Sequence, residues 1–451
     1  MSAAVPHEAV QSAVIFGLDP LWLSTGILVV SYAVLLSEKI NRTVIALLGA
    51  GIVIISGVLD QDRAITGIDF NTIALLTGMM IIVGITSATG VFEYVAVWSA
   101  KKVKADPRGL LLVLAAVTAF FSAFLDNLTT VLLIVPVTLL IVEKLKISPY
   151  PFLITQILAS NVGGTATLIG DPPNILIGSA TRLSFMEFLV NLGPVSLVIL
   201  IVVMAIFHIF WGRSLVADEK LRARVMSFRP ADSITDVKGL KKSLFVLALV
   251  ILGFIVGEHY GIRPGTTAMF GAAVLLLLTG LGENGNDQSL RVRDALGEVE
   301  WGALFFFMGL FVIVGGVEHA GLLDILGALL IEATGGDPTT TILATLWISA
   351  LVSAAVDNIP FVATMIPLVE SMEATMGGKQ ALEPVWWALA LGACLGGNGS
   401  LIGAAANVMV AGLGERAGYP ISFGRFLLAG LPVMLLSVVI ATVYLYVFHV
   451  P

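Results

Sequence analysis

Apolar runs recur along this chain at lengths that fit a hydrocarbon core of about 30 Å, which a helix crosses in roughly 20 residues. Continuous runs at 21–37, 42–59, 72–92, 186–211, 241–257, 264–281, 301–331 and 422–448 predict membrane spans. Runs at 150–180 and 384–414 predict two further spans, each interrupted by a polar, glycine-bearing island. Two more apolar pieces, 110–142 and 341–376, break near their middles at Asp126 and Asp357. Each predicts a re-entrant helical hairpin whose tip stops inside the membrane. The pattern describes an all-α polytopic membrane protein.

Composition agrees: 57% of the 451 residues are hydrophobic and 12% charged, against roughly 25% charged in an average soluble domain. The N-terminus has no basic region before its apolar core and no small-residue cleavage site, so Leu21 to Ser37 is expected as a retained span preceded by an extracytoplasmic segment, 1–20. A single cysteine, Cys394, excludes an internal disulfide and a multi-cysteine metal site. The net charge is −7 and the basic residues sit in loops between spans, which gives nucleic-acid binding no footing. No Walker loop, Ser-His-Asp order or dinucleotide fingerprint is present, and the five histidines lack paired metal-ligand spacing. Neither an enzyme nor an ATP-driven pump is suggested.

The chain repeats itself. "SAFLDNLTTVLLIVP" at 122–136 returns 231 residues later as "SAAVDNIPFVATMIP", and the same offset takes Gly90 and Glu93 to Gly321 and Asp324. At an offset of 233, "GGTATLIGDPPN" (163–174) meets "GGNGSLIGAAAN" (396–407), and at 238 "SFMEFL" meets "SFGRFL". Slowly growing offsets are what loop insertions produce. Two repeats follow, 21–211 and 241–451, joined by a mixed-charge cytoplasmic linker at 212–240. Each holds five spans plus a hairpin, and because five is odd the second repeat is expected with inverted topology. Twenty of the 24 basic residues then fall on one face, which the positive-inside rule makes cytoplasmic. Both termini are expected outside, the Asp126 hairpin entering from the cytoplasm and the Asp357 hairpin from outside. The parity requires that "EYVAVWSAKKVK" (93–104) lie in the interface as a continuation of the third span.

A charge at bilayer depth costs several kcal/mol, so intramembrane acids point to function. Asp126 and Asp357, with Asn127 and Asn358 beside them, are candidate Na⁺ or H⁺ sites at hairpin tips; the plainer alternative is that each aspartate caps the helix that follows. Thr129 joins the first tip. Within the first island Gly163, Gly164 and two prolines force the span to unwind, and unwound backbone at membrane depth belongs where it lines a cavity or is buried in protein. Asn161, Thr165, Thr167, Asp171 and Asn174 could then face a solute, as could Gly397, Asn398, Ser400 and Asn407 from the second repeat. Asp171 aligns with Ala404, so the half-sites are not equivalent; a helix cap is again the alternative for Asp171. Cys394 reads more simply as a small packing residue than as a metalloid ligand.

These residues carry a resemblance. "FLDNLTTVLLIVP", "NVGGTATLIGDPPNILIG" and "DNIPFVATMIP" resemble the ion transporter superfamily over nearly the whole chain, above all its branch of arsenite permeases, melanosomal P-protein-like permeases and D-type Na⁺/H⁺ antiporters. Related dicarboxylate/sodium symporters differ in carrying Ser-Asn-Thr at the tips. The resemblance implies a multi-pass protein of the cell inner (plasma) membrane and a homodimer. It implies a secondary transporter that moves its hairpins and unwound spans past a scaffold in an elevator cycle, with H⁺ or Na⁺ as coupling ion and no other cofactor. Its leading cargo is arsenite or antimonite; the alternatives are Na⁺/H⁺ antiport and an organic anion (citrate or dicarboxylate) transporter or anion channel of the same fold.

Overall fold

The computed structural model describes residues 14–37, 39–282 and 284–450. Most of the predicted extracytoplasmic segment 1–20 lies outside the described residues, and all regular structure among them is helical. The first half runs α1 (Pro20–Leu36), α2 (Arg42–Ile55), α3 (Gln61–Thr66), α4 (Phe70–Ser87), α5 (Val91–Lys102), α6 (Pro107–Phe124), α7 (Asn127–Leu145), α8 (Tyr150–Thr165), α9 (Pro172–Thr181) and α10 (Phe185–Gly212). After α11 (Glu219–Met226) the second half runs α12 (Val237–Val256), α13 (Pro264–Gly280), α14 (Gly285–Gly297), α15 (Trp301–His319), α16 (Leu322–Ala333), α17 (Pro338–Ala355), α18 (Asn358–Ser371), α19 (Glu373–Met376), α20 (Lys379–Gly396), α21 (Ala405–Arg416) and α22 (Phe423–Phe448). Among the described residues eight of these helices are long and apolar enough to cross a membrane.

Apart from the four-residue α19, the halves correspond helix by helix, and several of their caps match. Asp106 and Asp337 cap the hairpin legs α6 and α17, each followed by proline, and so start these legs before the apolar run suggests. Ser184 and Ser422 cap α10 and α22. The spans expected at 72–92 and 301–331 are not continuous, because Gly90 (φ +80°) and Gly321 (φ +85°) break them in the left-handed region. The apolar composition runs straight through both breaks and hides them. The helices that follow, α5 and α16, have 12 residues each, about 18 Å at 1.5 Å per residue, too short to cross. Gly90 is also where the linker docks: a Cβ there would collide with the Ser233 carbonyl oxygen. The linker packs on α5 through Lys101 Nζ to the Phe228 carbonyl (2.9 Å), and Arg222 donates to the Lys104 carbonyl at 3.1 Å.

Two bodies result. In the scaffold, α13 packs on α4 and α2 packs on α15, so each repeat's opening helices serve the other repeat. Close approach makes this possible: a Cβ on Gly78 would lie 2.5 Å from the Ala268 backbone, and one on Gly309 2.6 Å from the Ala46 backbone. The second body joins the hairpins α6–α7 and α17–α18 to the interrupted spans α8–α9 and α20–α21, with α10 and α22 alongside. The hairpin tips end against the breaks in those spans.

Candidate functional site

Both hairpins turn through one extended residue, Leu125 (φ −121°, ψ 166°) and Val356 (φ −128°, ψ 148°), followed by the capping aspartate. Asp126 accepts from the Thr129 amide at 2.8 Å and from the Thr129 hydroxyl. Asp357 accepts from the Ile359 amide at 3.1 Å. The capping geometry is therefore present at both tips. Asp357 has in addition a partner that neighbouring sequence does not reveal: Arg42, the first residue of α2, at 3.6 Å. The Arg42 guanidinium also lies 5.4 Å from the centre of the Phe306 ring.

Each interrupted span is broken in the same way. Backbone crosses backbone at the break, so a Cβ on Gly163 would strike Ala119 and one on Gly164 would strike Gly170; Gly396 meets Ala350, and Gly397 meets Gly403, at the matching places. The carbonyls that the break frees are gathered by one amide per half. Asn174 Nδ2 donates to the carbonyls of Thr167 (2.9 Å), Thr165 (3.2 Å) and Gly164 (3.4 Å), and Asn407 Nδ2 to those of Gly397 (2.7 Å) and Ser400 (2.8 Å). Hydroxyls tie the breaks to the hairpins: Thr167 donates to the Ala123 carbonyl, Ser122 to Ser160 and Ser353 to Ala393, the last two at 2.6 Å. Thr165 donates to the Asn161 carbonyl at 2.7 Å.

Between the breaks lie two related but unlike clusters. In the first, Asn127 Nδ2 donates to Asn161 Oδ1 (3.1 Å), and Asn161 Nδ2 donates to both Asn398 Oδ1 and Asn407 Oδ1 (2.9 Å each). Four amides from both repeats close on one another. In the second, Asn358, the equivalent of Asn127, donates to Asp171 at 3.3 Å, and the Cys394 thiol, in the place of Asn161, donates to Asn174 Oδ1 at 3.5 Å. Asp171 is 1% exposed and its side chain caps nothing, although it stands at the cap position of α9. Its counterpart Ala404 leaves the amide cluster without an acid. Asn398 Nδ2 and Ser400 Oγ are buried there without partners. Asp126 and Thr129 bond to each other, outside both clusters. Among the described residues no three His, Cys, Asp or Glu side chains gather into a metal cage.

An open cavity of about 520 Å³ lies between the two bodies and reaches Asp357. Arg42, Phe306 and Glu300 face it from the scaffold side, and Leu128, Ala405 and Arg416 from the other. The sequence counts Arg42, at the start of the 42–59 span, and Arg416, just past 384–414, only among the cytoplasmic-face basic residues, and nothing in it marks them as lining a site.

Residues 32–392 match the family described as Citrate transporter, CitMHS. The chain belongs to this citrate transporter family. It is 41% identical over 424 residues to an uncharacterized transporter of Mycobacterium tuberculosis, covering 93% of this chain and 96% of that one. It is 33% identical over 511 residues to the human P protein, covering 95% of this chain and 60% of the P protein. The fold is shared with the crystal structure of the Alcanivorax borkumensis YdaH transporter, at a TM-score of 0.63 and 15% identity over 96% of this chain and 98% of that one. The family and these relatives make the protein a multi-pass membrane transporter and support the predicted superfamily branch.

Proposed function

We propose that the protein is a secondary transporter that couples H⁺ or Na⁺ to the movement of a small anion, the hairpin body travelling past the scaffold as an elevator. One observation carries the reading: a buried carboxylate, Asp171, with no cap to make, accepts from Asn358 of the hairpin tip whose Asp357 lines a cavity that also presents two arginines. Carboxylates with amide oxygens suit a coupling cation, with Asp126, Asn127, Asp357 and Asn358 as candidate Na⁺ ligands, while arginines suit the anion. An anion fits this cavity better than arsenite, because the Cys394 thiol is fully buried and turned to Asn174. The family's description points the same way. Na⁺/H⁺ antiport is the second reading, favoured by the three carboxylates near the tips. Inverted repeats and termini outside the cell membrane, supported by the matching order of helices and the bias of basic residues, and a homodimer, which the resemblance implies, complete the proposal.

The test is flux in liposomes under imposed Na⁺ and pH gradients, with citrate, arsenite and Na⁺ itself as cargo. Gradient-driven citrate accumulation is expected. Uncoupled currents far above carrier rates would establish a channel, and Na⁺/H⁺ exchange with no anion movement would establish the second reading.

A further inference from the structure

The Arg42–Asp357 pair joins the two bodies, since α2 belongs to the scaffold and α18 to the hairpins. Both side chains are partly open to the cavity, at 34% and 25% exposure. At 3.6 Å the approach is longer than the 2.7–2.9 Å of a charge-assisted hydrogen bond, so the guanidinium's forked donors are not committed to Asp357. The Phe306 ring holds the guanidinium in place from behind. Other polar groups act on Asp357 or line the cavity with it: Tyr32 of α1, whose hydroxyl donates to the Pro360 carbonyl at 2.7 Å, and the buried Asp171 before α9 lie within its electrostatic reach, while Glu300 before α15 and Arg416 ending α21 line the same cavity. Among the described residues the first tip has no such base. The offset that pairs Ala46 with Ala268 brings Arg42 onto Pro264, and Asp126 takes a threonine hydroxyl instead.

Resting on the reading of the site as a cation-coupled anion carrier, we infer that Arg42 is an exchangeable counter-ion: it pairs with Asp357 in the empty carrier and passes to a carboxylate of the solute when H⁺ or Na⁺ occupies Asp357. The charges balance. Arg42, Arg416, Asp357 and Glu300, the charged side chains that line the cavity, sum to zero when it is empty; a cation on Asp357 leaves one net positive charge, which one carboxylate of the solute cancels, and each further carboxylate brings one further cation with it. Arg42 then binds the planar carboxylate through two parallel N–H bonds, a geometry that an ammonium cannot copy. Because each ligand favours the other by the same free energy, cation and anion travel together and the cycle is a symport. A cavity of about 520 Å³ is wide enough for a small di- or tricarboxylate.

Citrate binding to the purified full chain tests this by calorimetry, with and without Na⁺ and across pH, beside the thermal shift that the cation alone produces. Wild type is expected to bind citrate about tenfold or more tightly when the cation is supplied. Arg42→Gln is expected to lose about tenfold or more in citrate affinity while keeping the cation's own thermal shift, which shows that it is folded. Arg42→Lys keeps the cation dependence at lower affinity. Asp357→Asn frees Arg42 permanently, so it binds citrate without cation as tightly as wild type does with it, and no longer responds to cation. Arg42→Gln with wild-type affinity, or Asp357→Asn unable to bind citrate, overturns the exchange and leaves the anion carrier standing. A wild type that binds neither citrate nor phosphate under any cation condition overturns the anion reading beneath it.

Discussion

The amide cluster and the acid cluster occupy equivalent places in the two repeats, on nearly the same backbone, and only one of them can hold a charge. What the halves share is what the backbone demands: the glycines where chain crosses chain, and Asn174 and Asn407, which serve the carbonyls freed by each break. What differs is chemistry. Asn161 and Ala404 make one side a set of mutually bonded neutral amides, while Cys394 and Asp171 make the other side an acid among weak donors. Amide pairs each add about 1 kcal/mol net and tie the repeats together. A buried carboxylate without a base costs stability, so its presence points to a task other than packing.

The largest expected effect comes from exchanging that chemistry. Asp171→Asn removes no cap bond, so folded protein should be recovered while gradient-driven transport falls by about 100-fold, roughly 2.7 kcal/mol. Wild-type coupling and pH dependence in this variant would make Asp171 a packing residue. The converse, Ala404→Asp, should give the amide cluster an acid and a second cation response, read as a Na⁺- or pH-dependent gain in melting temperature absent from wild type.

A smaller effect probes what the clusters share. Asn174→Ala and Asn407→Ala should each cost about 1–3 kcal/mol by leaving buried carbonyls unpaired, seen as similar losses in melting temperature. If only Asn174→Ala mattered, the break in the second repeat would be held by something other than its asparagine. The smallest effect belongs to the first tip, where Thr129→Val removes the hydroxyl that Asp126 accepts but keeps the backbone cap. Destabilisation by about 1 kcal/mol is expected, with cation dependence retained; lost cation dependence would make Asp126 the principal ligand of the coupling cation.

Much of this was legible in the sequence because it is local or repeated. The tips, the unwound spans and the non-equivalence of Asp171 and Ala404 all stand in short strings that align at fixed offsets. The breaks at Gly90 and Gly321 were not legible, because a single left-handed glycine leaves an apolar run looking continuous. Arg42 was not legible either: the bond that brings it to Asp357 crosses between repeats, and nothing near residue 42 records where residue 357 will be. The exchange of Asn161 for Cys394 could be seen as a substitution, but its meaning needed the bonds each makes.

The crossed packing of Gly78 on Ala268 and Gly309 on Ala46 has a consequence for how the protein is made. When α4 leaves the ribosome, the helix that will cover it has not been synthesised, and about 190 further residues must emerge before α13 can reach it. The nascent first half therefore waits in the bilayer with one face covered only by lipid or by an insertion chaperone. Severed in the linker, neither piece could complete its own frame, whereas two pieces produced together in one cell could still find each other and close.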